Sequence, residues 1–121
     1  MGEITKTIII EVPSNIVYEA IKEMYLSGWI NKYCKDLTEG LITEFGLARN
    51  IPNSELVFIG EKWGSKVDLK YDLRPVGNFT EVTISLKYRL ILEPSARIEM
   101  IDIIRSLLML EKGYKARDPH P

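Results

Sequence analysis

The 121-residue sequence is long enough for one domain, and its 45% hydrophobic and 27% charged residues are typical of a globular protein. The formal net charge of −1 leaves no basic excess for binding a phosphate backbone, so we expect no nucleic-acid partner. The single cysteine and the single histidine exclude an internal disulfide and a Cys/His zinc site, and we expect neither a metal nor another cofactor.

Composition also indicates where the protein works. No charged-then-apolar leader opens the sequence, and no apolar run reaches the roughly 18 to 20 residues that a membrane span requires. A lone cysteine fits a reducing compartment. We therefore expect a cytoplasmic protein with no membrane span. Abundant isoleucine, lysine and glutamate and the absence of glutamine hint at a thermophilic source.

The chain opens with an alternating segment, from Ile4 to Val12, that predicts a strand. Ile9 interrupts the alternation, which favours a strand covered on both faces. Pro13 ends the strand, and Ser14 is a good N-cap for a helix that runs to about Ser27. The buried stripe of this helix, bordered by two tyrosines, is predicted to contain Val17, Ala20, Ile21 and Met24, with Tyr18 and Tyr25 beside it.

The next segment is harder to interpret. Gly28 ends the first helix, and a second short helix is predicted from about Trp29 to Asp36. Residues 41–48 favour a strand. Pro52-Asn53 then predicts a turn before another strand, Leu56 to Ile59.

The clearest pattern in the sequence is an antiparallel meander. Two segments with alternating hydrophobic residues flank a turn at Val76-Gly77-Asn78, and a further hairpin turn is predicted at Trp63-Gly64-Ser65. Each segment would have one buried and one solvated face. The inward residues are predicted to be Val67, Leu69, Tyr71, Leu73, Val82, Ile84, Leu86, Tyr88 and Leu90.

The last element is a long amphipathic helix, predicted from Ser95 to about Lys115. At 100° a residue, about half of its circumference is apolar. This arc contains Met100, Ile101, Ile103, Ile104, Leu107, Leu108, Leu110 and Tyr114. The opposite half contains Glu99, Asp102, Arg105, Ser106 and Lys112. Consecutive strands followed by a helix predict an α+β fold, with one domain over residues 1–115 and a disordered tail over 116–121.

Three stretches carry a resemblance to a known superfamily. They are the strand that leads through Val12-Pro13-Ser14 into a helix, the meander from Leu56 to Leu90 with its Leu73–Gly77 corner, and the terminal helix. Together they resemble the helix-grip superfamily, which includes START-related lipid carriers, polyketide cyclases and the major birch pollen allergen. The resemblance implies a curved antiparallel sheet wrapped around the C-terminal helix, with two short helices after the first strand.

The middle of this sequence is shorter than the superfamily pattern. Residues 37–54 have room for about one strand, where members of the superfamily usually have several. We therefore expect about five strands and a more open grip, closed in part by a second copy of the chain in a homodimer.

The inward faces of the meander and the terminal helix define a candidate site for a small apolar ligand. Tyr18 and Trp63 are expected at its rim. Glu111 falls within the apolar arc, so it either faces the cavity or lies in water where the helix passes the sheet. The candidate ligand contacts are Tyr18, Trp63, Tyr71, Leu73, Leu86, Tyr88, Ile104, Leu107 and Glu111.

No catalytic residue is assigned, because Cys34 has no histidine partner and His120 lies in the predicted tail. Three functions therefore stay open. The first is binding of a small apolar or amphipathic molecule between the sheet and the C-terminal helix. The second is a cyclase- or hydratase-type enzyme that uses a pocket carboxylate or tyrosine. The third is a dimeric interaction module whose core is filled by its own side chains.

Overall fold

A computed structural model of the chain describes residues 1–26, 44–62 and 64–117. The predicted second short helix lies outside these ranges, as do Cys34, Trp63 and His120. Within them, neither α-helix is long and apolar enough to cross a membrane. The elements are β1 (Gly2–Ile10), α1 (Ser14–Leu26), β2 (Glu44–Ile51), β3 (Glu55–Lys62), β4 (Ser65–Val76), β5 (Phe79–Tyr88), a 3-10 turn (Leu90–Leu92) and α2 (Glu93–Arg117).

The five strands form one antiparallel sheet in the order β1-β5-β4-β3-β2. This confirms the predicted α+β helix-grip arrangement and its five strands. The turns occur where the sequence predicts them, and Asn53, Gly64 and Gly77 have positive φ angles of 62°, 73° and 62°. Glycine adopts this left-handed backbone without steric cost, and asparagine tolerates it.

Alternation along β4 and β5 places one side of each strand in the core. Leu69 pairs with Leu86 and Tyr71 pairs with Ile84 across the two strands, and all four side chains are buried. The prediction for Leu90 was wrong. Its side chain is 62% exposed, because β5 ends at Tyr88 and the chain then enters the 3-10 turn.

The first strand is covered on one face only. Ile10 is fully buried, whereas Ile9 is 56% exposed, so the expectation that both faces would be covered was wrong. The reason is topological, since both helices pack on the same side of the sheet, α2 over β1 and β5 and α1 over β2 to β5. The other side of the sheet remains in contact with solvent.

The start of α1 differs in detail from the expected cap. The first helical bonds run from the N–H groups of Ile16 and Val17 to the carbonyl of Pro13. The Ser14 hydroxyl instead lies 2.9 Å from the hydroxyl of Thr80. Thr80 in turn donates to the carbonyl of Val12 at 2.7 Å. This chain of contacts ties the end of β1 to the start of β5.

The C-terminal helix is longer than predicted and is rotated about its axis. It extends from Glu93 to Arg117, so residues 116 and 117, assigned to the tail, are helical. Ile101 and Leu108, expected inside, are 52% and 49% exposed. Three residues expected on the outer half are buried instead, and these are Glu99, Asp102 and Ser106.

The buried side of α2 spans more than the flank that faces the sheet. Met100, Ile103 and Leu107 are buried in the core, and so are Glu99, Asp102 and Ser106. The flank that carries Ser106 and Gly113 faces α1 across a shared groove. The apolar residues of α2 encircle most of the helix, so hydrophobicity alone does not select its buried side.

Candidate functional site

Two carboxylates of α2 lie inside the fold. Glu99 and Asp102 are 2% and 1% exposed. Their spacing of three residues places them on neighbouring turns of one helix face. Met100 and Ile103, which alternate with them, belong to the hydrophobic core. A buried pair of acids in such surroundings is costly unless it is protonated, paired or used.

Glu99 is the less satisfied of the two acids. Within the described part of the chain, its Oε2 atom has no hydrogen-bond partner. The pKa of its carboxyl is raised to about 8, chiefly by burial and then by the charge of Asp102, while the charge of Lys62 acts in the opposite direction. The Glu99 carboxyl is therefore mostly protonated at neutral pH, when it can both donate and accept a hydrogen bond.

Three residues near Glu99 and Asp102 supply positive charge or a hydroxyl group. Lys62, the last residue of β3, is half-buried and supplies positive charge close to Glu99. Arg105 approaches Asp102 Oδ1 at 3.9 Å from the solvent side, and its own side chain is 59% exposed. The Ser106 hydroxyl is already used, since it donates to the carbonyl of Ile103 at 2.6 Å. Glu99 Oε2 is thus buried and keeps unused hydrogen-bonding capacity among the described residues.

Most of the residues predicted from sequence as ligand contacts meet in a single core. Five of them are buried and belong to the same hydrophobic cluster, and these are Tyr71, Leu73, Leu86, Tyr88 and Leu107. Ile104 is partly buried and packs against that cluster. Tyr18 is also buried there, and its hydroxyl accepts a hydrogen bond from the side-chain amide of Asn50. Trp63 lies outside the described residues.

The tyrosine hydroxyls of this core have identifiable partners. The hydroxyls of Tyr71 and Tyr25 are 2.8 Å apart, and the Tyr25 ring stacks on Phe58 with centroids 4.2 Å apart. Tyr88 donates to Glu93 Oε1 at 3.1 Å. Burial, and then this bond, raise the pKa of the Tyr88 hydroxyl. These phenols are therefore satisfied within the fold.

Glu111 lies at the edge of the sheet. Its Oε2 accepts a hydrogen bond from the backbone N–H of Glu11 at 2.7 Å. Lys115, one turn further along α2, forms an ion pair with the Glu11 carboxylate at 2.5 Å. The contacts of Glu111 join the last turns of α2 to the end of β1. These contacts agree with the placement of Glu111 where the helix passes the sheet, and not with the placement in which it faces a cavity.

A groove of about 370 Å³ runs along the seam between α1 and α2. Apolar side chains from both helices line it, including Ile16, Ala20 and Met24 from α1. Arg117 stands at its C-terminal end. The groove reaches the flank of α2 that carries Ser106, so it adjoins the buried acidic face of that helix. No group of three or more His, Cys, Asp or Glu side chains within the described ranges is arranged to hold a metal ion.

Glu99 and Asp102 are not among the candidate site residues predicted from sequence. The helical wheel predicts both on the solvated half of the helix. The available signal was their position, since two acids three residues apart interrupt an otherwise apolar run from Ile98 to Ile104. Such residues are informative when a helix is apolar on nearly every side, because some polar residue must then face inward.

Comparison with known proteins supports the fold. No protein-family model matches the sequence, and no curated protein matches it. Among solved structures, a START superfamily protein from Mycobacterium smegmatis has a TM-score of 0.65 and 12% identity over 93% of this chain and 98% of its own. The Aha1 dimer from Colwellia psychrerythraea has a TM-score of 0.61 and 16% identity over 92% of this chain and 97% of its own.

A polyketide-type enzyme also shares the architecture. The Zhui aromatase/cyclase from a Streptomyces species superimposes with a TM-score of 0.52 and 8% identity over 94% of both chains. Identities this low establish the fold and leave the activity open. The chain therefore has the helix-grip fold of START-like and polyketide cyclase-like proteins, as the sequence resemblance predicted.

Proposed function

We propose that the protein binds a small amphipathic molecule between the sheet and α2, with the polar group of the ligand at Glu99. The observation that carries the proposal is that Glu99 is 2% exposed and that its Oε2 atom has no hydrogen-bond partner among the described residues. A polar group buried without a partner is costly, and fold stability gives no reason to retain it. A ligand that supplies the missing partner would remove that cost.

The surroundings of Glu99 favour an apolar ligand body. Leu86, Tyr88 and Leu107 come from the sheet and the helix and belong to the core cluster, as does Met100, the residue that follows Glu99. Small-molecule sites typically combine such apolar walls with a few polar groups that orient the ligand. The neutral, protonated form of Glu99 suits a hydroxyl or carbonyl group better than it suits an anion.

The rim of the site is expected where α1 and the end of β3 approach α2. Tyr18 lies on α1, and Trp63 follows Lys62, whose charge acts on Glu99. We propose both aromatic residues as rim contacts. The ligand would enter from this side, because the opposite flank of α2 is closed by the contact of Glu111 with Glu11.

Binding of a neutral apolar dye tests this proposal. We expect N-phenyl-1-naphthylamine to bind the native protein saturably, with one dye molecule per chain. Leu107→Phe should add bulk between helix and sheet, where the dye would have to insert, and weaken dye binding about tenfold, equivalent to about 1.4 kcal/mol. Leu108→Phe, a matched control on the half-exposed side of α2, should leave dye affinity unchanged. Circular dichroism would verify that both variants fold.

Two outcomes would contradict the proposal. One is the absence of saturable dye binding to wild-type protein. The other is an equal loss of affinity in the two phenylalanine variants, because binding would then depend on general stability. Native mass spectrometry of protein purified without denaturant provides a second readout, in which a co-purified small molecule is expected.

Acid–base catalysis is a second candidate function, favoured by the pKa of Glu99 at about 8. A carboxyl that titrates near neutral pH, with Asp102 beside it, is suited to proton transfer to a bound substrate. This would correspond to the cyclase- or hydratase-type reaction considered from sequence. Glu99→Gln separates the two functions, since it should preserve dye binding in a carrier and abolish turnover in an enzyme.

An interaction module is the third candidate, and the close packing of the inward residues favours it. Tyr71, Leu73 and Leu86 are each 5% exposed or less, so the chain fills much of its own core. A homodimer is part of this proposal, because β1 and β2 form the two edges of the described sheet and open edges favour pairing. Light scattering should then give twice the monomer mass, and Ile9→Lys on the β1 edge should halve it.

A further inference from the structure

The outward side of α2 carries a row of large side chains in contact with solvent. Ile98, Ile101 and Leu108 are 39%, 52% and 49% exposed. Surface hydrophobic residues are ordinary when they are scattered, but a contiguous row on one helix face marks an interaction surface. This row is exposed whereas Glu99 is buried, so it is separate from the proposed ligand anchor.

The spacing of the row matches a helix-pairing seam. Ile98, Ile101, Arg105, Leu108 and Lys112 follow one another at intervals of three, four, three and four residues. This is the a/d pattern of a coiled coil, which presents one narrow stripe to a second helix. We call these five residues the outer seam. It spans 14 residue steps of α2, or about 21 Å at 1.5 Å per residue.

The charges of the outer seam select the kind of partner. Two of its five positions are occupied by cations, Arg105 and Lys112, and none by an acid. Of the nearby acids on the same helix, Glu99 is buried and Glu111 binds the backbone of Glu11. Asp102 lies 3.9 Å from Arg105, whose side chain is nevertheless 59% exposed and keeps further N–H groups for a partner. The seam therefore offers positive charge together with apolar surface.

Two occupants fit this arrangement poorly. A second copy of the chain, paired through the same seam, would bring arginine and lysine against arginine and lysine, and like charges across an interface are costly. A bilayer surface requires a helix whose cations are segregated from its apolar face. Here Arg105 lies in the middle of the apolar row, between Ile101 and Leu108.

We propose that the outer seam binds an acidic amphipathic helix of a partner protein. The leucine, isoleucine or similar side chains of that helix would pack against Ile98, Ile101 and Leu108. Its glutamate or aspartate side chains would meet Arg105 and Lys112. When two helices dock in this way, the apolar side chains provide affinity, and the charged side chains at the interface select the partner.

A pair of designed helical peptides tests this proposal. Both are labelled with fluorescein and have leucines in a heptad seam. One has glutamate at the remaining seam positions, and the other has lysine there. By fluorescence anisotropy, the wild-type chain should bind the acidic peptide at least about tenfold more tightly than the basic one. The Arg105→Glu/Lys112→Glu double variant should reverse this preference.

Controls make the outcome specific to the seam. Lys87→Glu changes an exposed cation on β5 and should leave the peptide preference unchanged. Far-ultraviolet circular dichroism of wild-type and double-variant protein should be the same, which verifies the fold. Equal binding of the two peptides, or a preference that survives the double reversal, would overturn the proposal. Seam-dependent binding to phosphatidylglycerol vesicles, or seam-dependent self-association, would overturn it in favour of a bilayer or a second copy.

Discussion

Glu99 links the stability of the folded chain to pH. Its pKa is about 8 in the folded state, against an ordinary value of 4.5 that we take for the unfolded state. Between these two values the folded chain keeps a proton that the unfolded chain has released, so the free energy of unfolding falls as pH rises. The full pKa difference corresponds to at most about 4 to 5 kcal/mol. We predict that Glu99 destabilises the protein progressively from pH 5 to pH 8.

Urea unfolding at pH 5 and pH 8 measures this effect. Glutamine has nearly the shape of glutamate and does not ionise, so Glu99→Gln should gain stability relative to wild type by about 1 to 4 kcal/mol over that interval. Glu111→Gln, on the same helix but at the sheet margin, should follow the pH dependence of the wild type. Parallel pH profiles for wild type and Glu99→Gln would show that the Glu99 carboxyl is not buried in protonated form.

Residue-level prediction succeeded where a backbone pattern determines direction. Tyr71 and Tyr88 were expected to point inward because side chains alternate strictly along a strand, and both are buried. Glu99 was assigned to the wrong side of its helix. Charge indicates solvent exposure only where one side of a helix lacks hydrophobic residues. In α2, hydrophobic residues occur on most sides of the helix. The ligand contacts that were expected from sequence stay predictions.

At the scale of elements, the rotation of α2 is the largest difference from the expected structure. The apolar arc places Leu107 and Leu108 inside, but only Leu107 is buried, and Leu108 is 49% exposed. We predict that Leu107→Ala lowers the free energy of unfolding by about 2 to 5 kcal/mol, as for other buried leucines. Leu108→Ala should cost less than about 1 kcal/mol.

Chemical denaturation of the two alanine variants compares neighbouring leucines within one helix, so helix propensity is matched. Equal losses in the free energy of unfolding would indicate that the apolar arc predicted from sequence, with both leucines inside, is the buried face. A larger loss for Leu108 than for Leu107 would indicate rotation in the opposite direction. The strands need less correction, because β3 and β4 contain the segments predicted from alternation and are only longer at their ends. β5 differs from its predicted segment at the C-terminal end, where it stops at Tyr88 and leaves Leu90 exposed.

At the scale of the whole molecule, the order of elements determined the fold. One strand, helical residues, a meander and a long terminal helix are sufficient to predict a sheet wrapped around that helix, and similar solved structures have this arrangement. Function could not be predicted in the same way. It depends on which polar groups the wrapped helix presents to the interior, and this follows from tertiary packing rather than from any local pattern.

The central claim is that Glu99 anchors the polar group of a ligand inside the grip. Carbon-13 NMR of the glutamate side chains, during titration with 2-naphthol, tests it most directly. We predict that the Glu99 carboxyl titrates near pH 8 in the free protein, and that 2-naphthol shifts its resonance saturably. The Glu111 carboxyl resonance should stay unchanged. A Glu99 carboxyl that titrates near 4.5, or that does not respond when 2-naphthol binds, would contradict the claim.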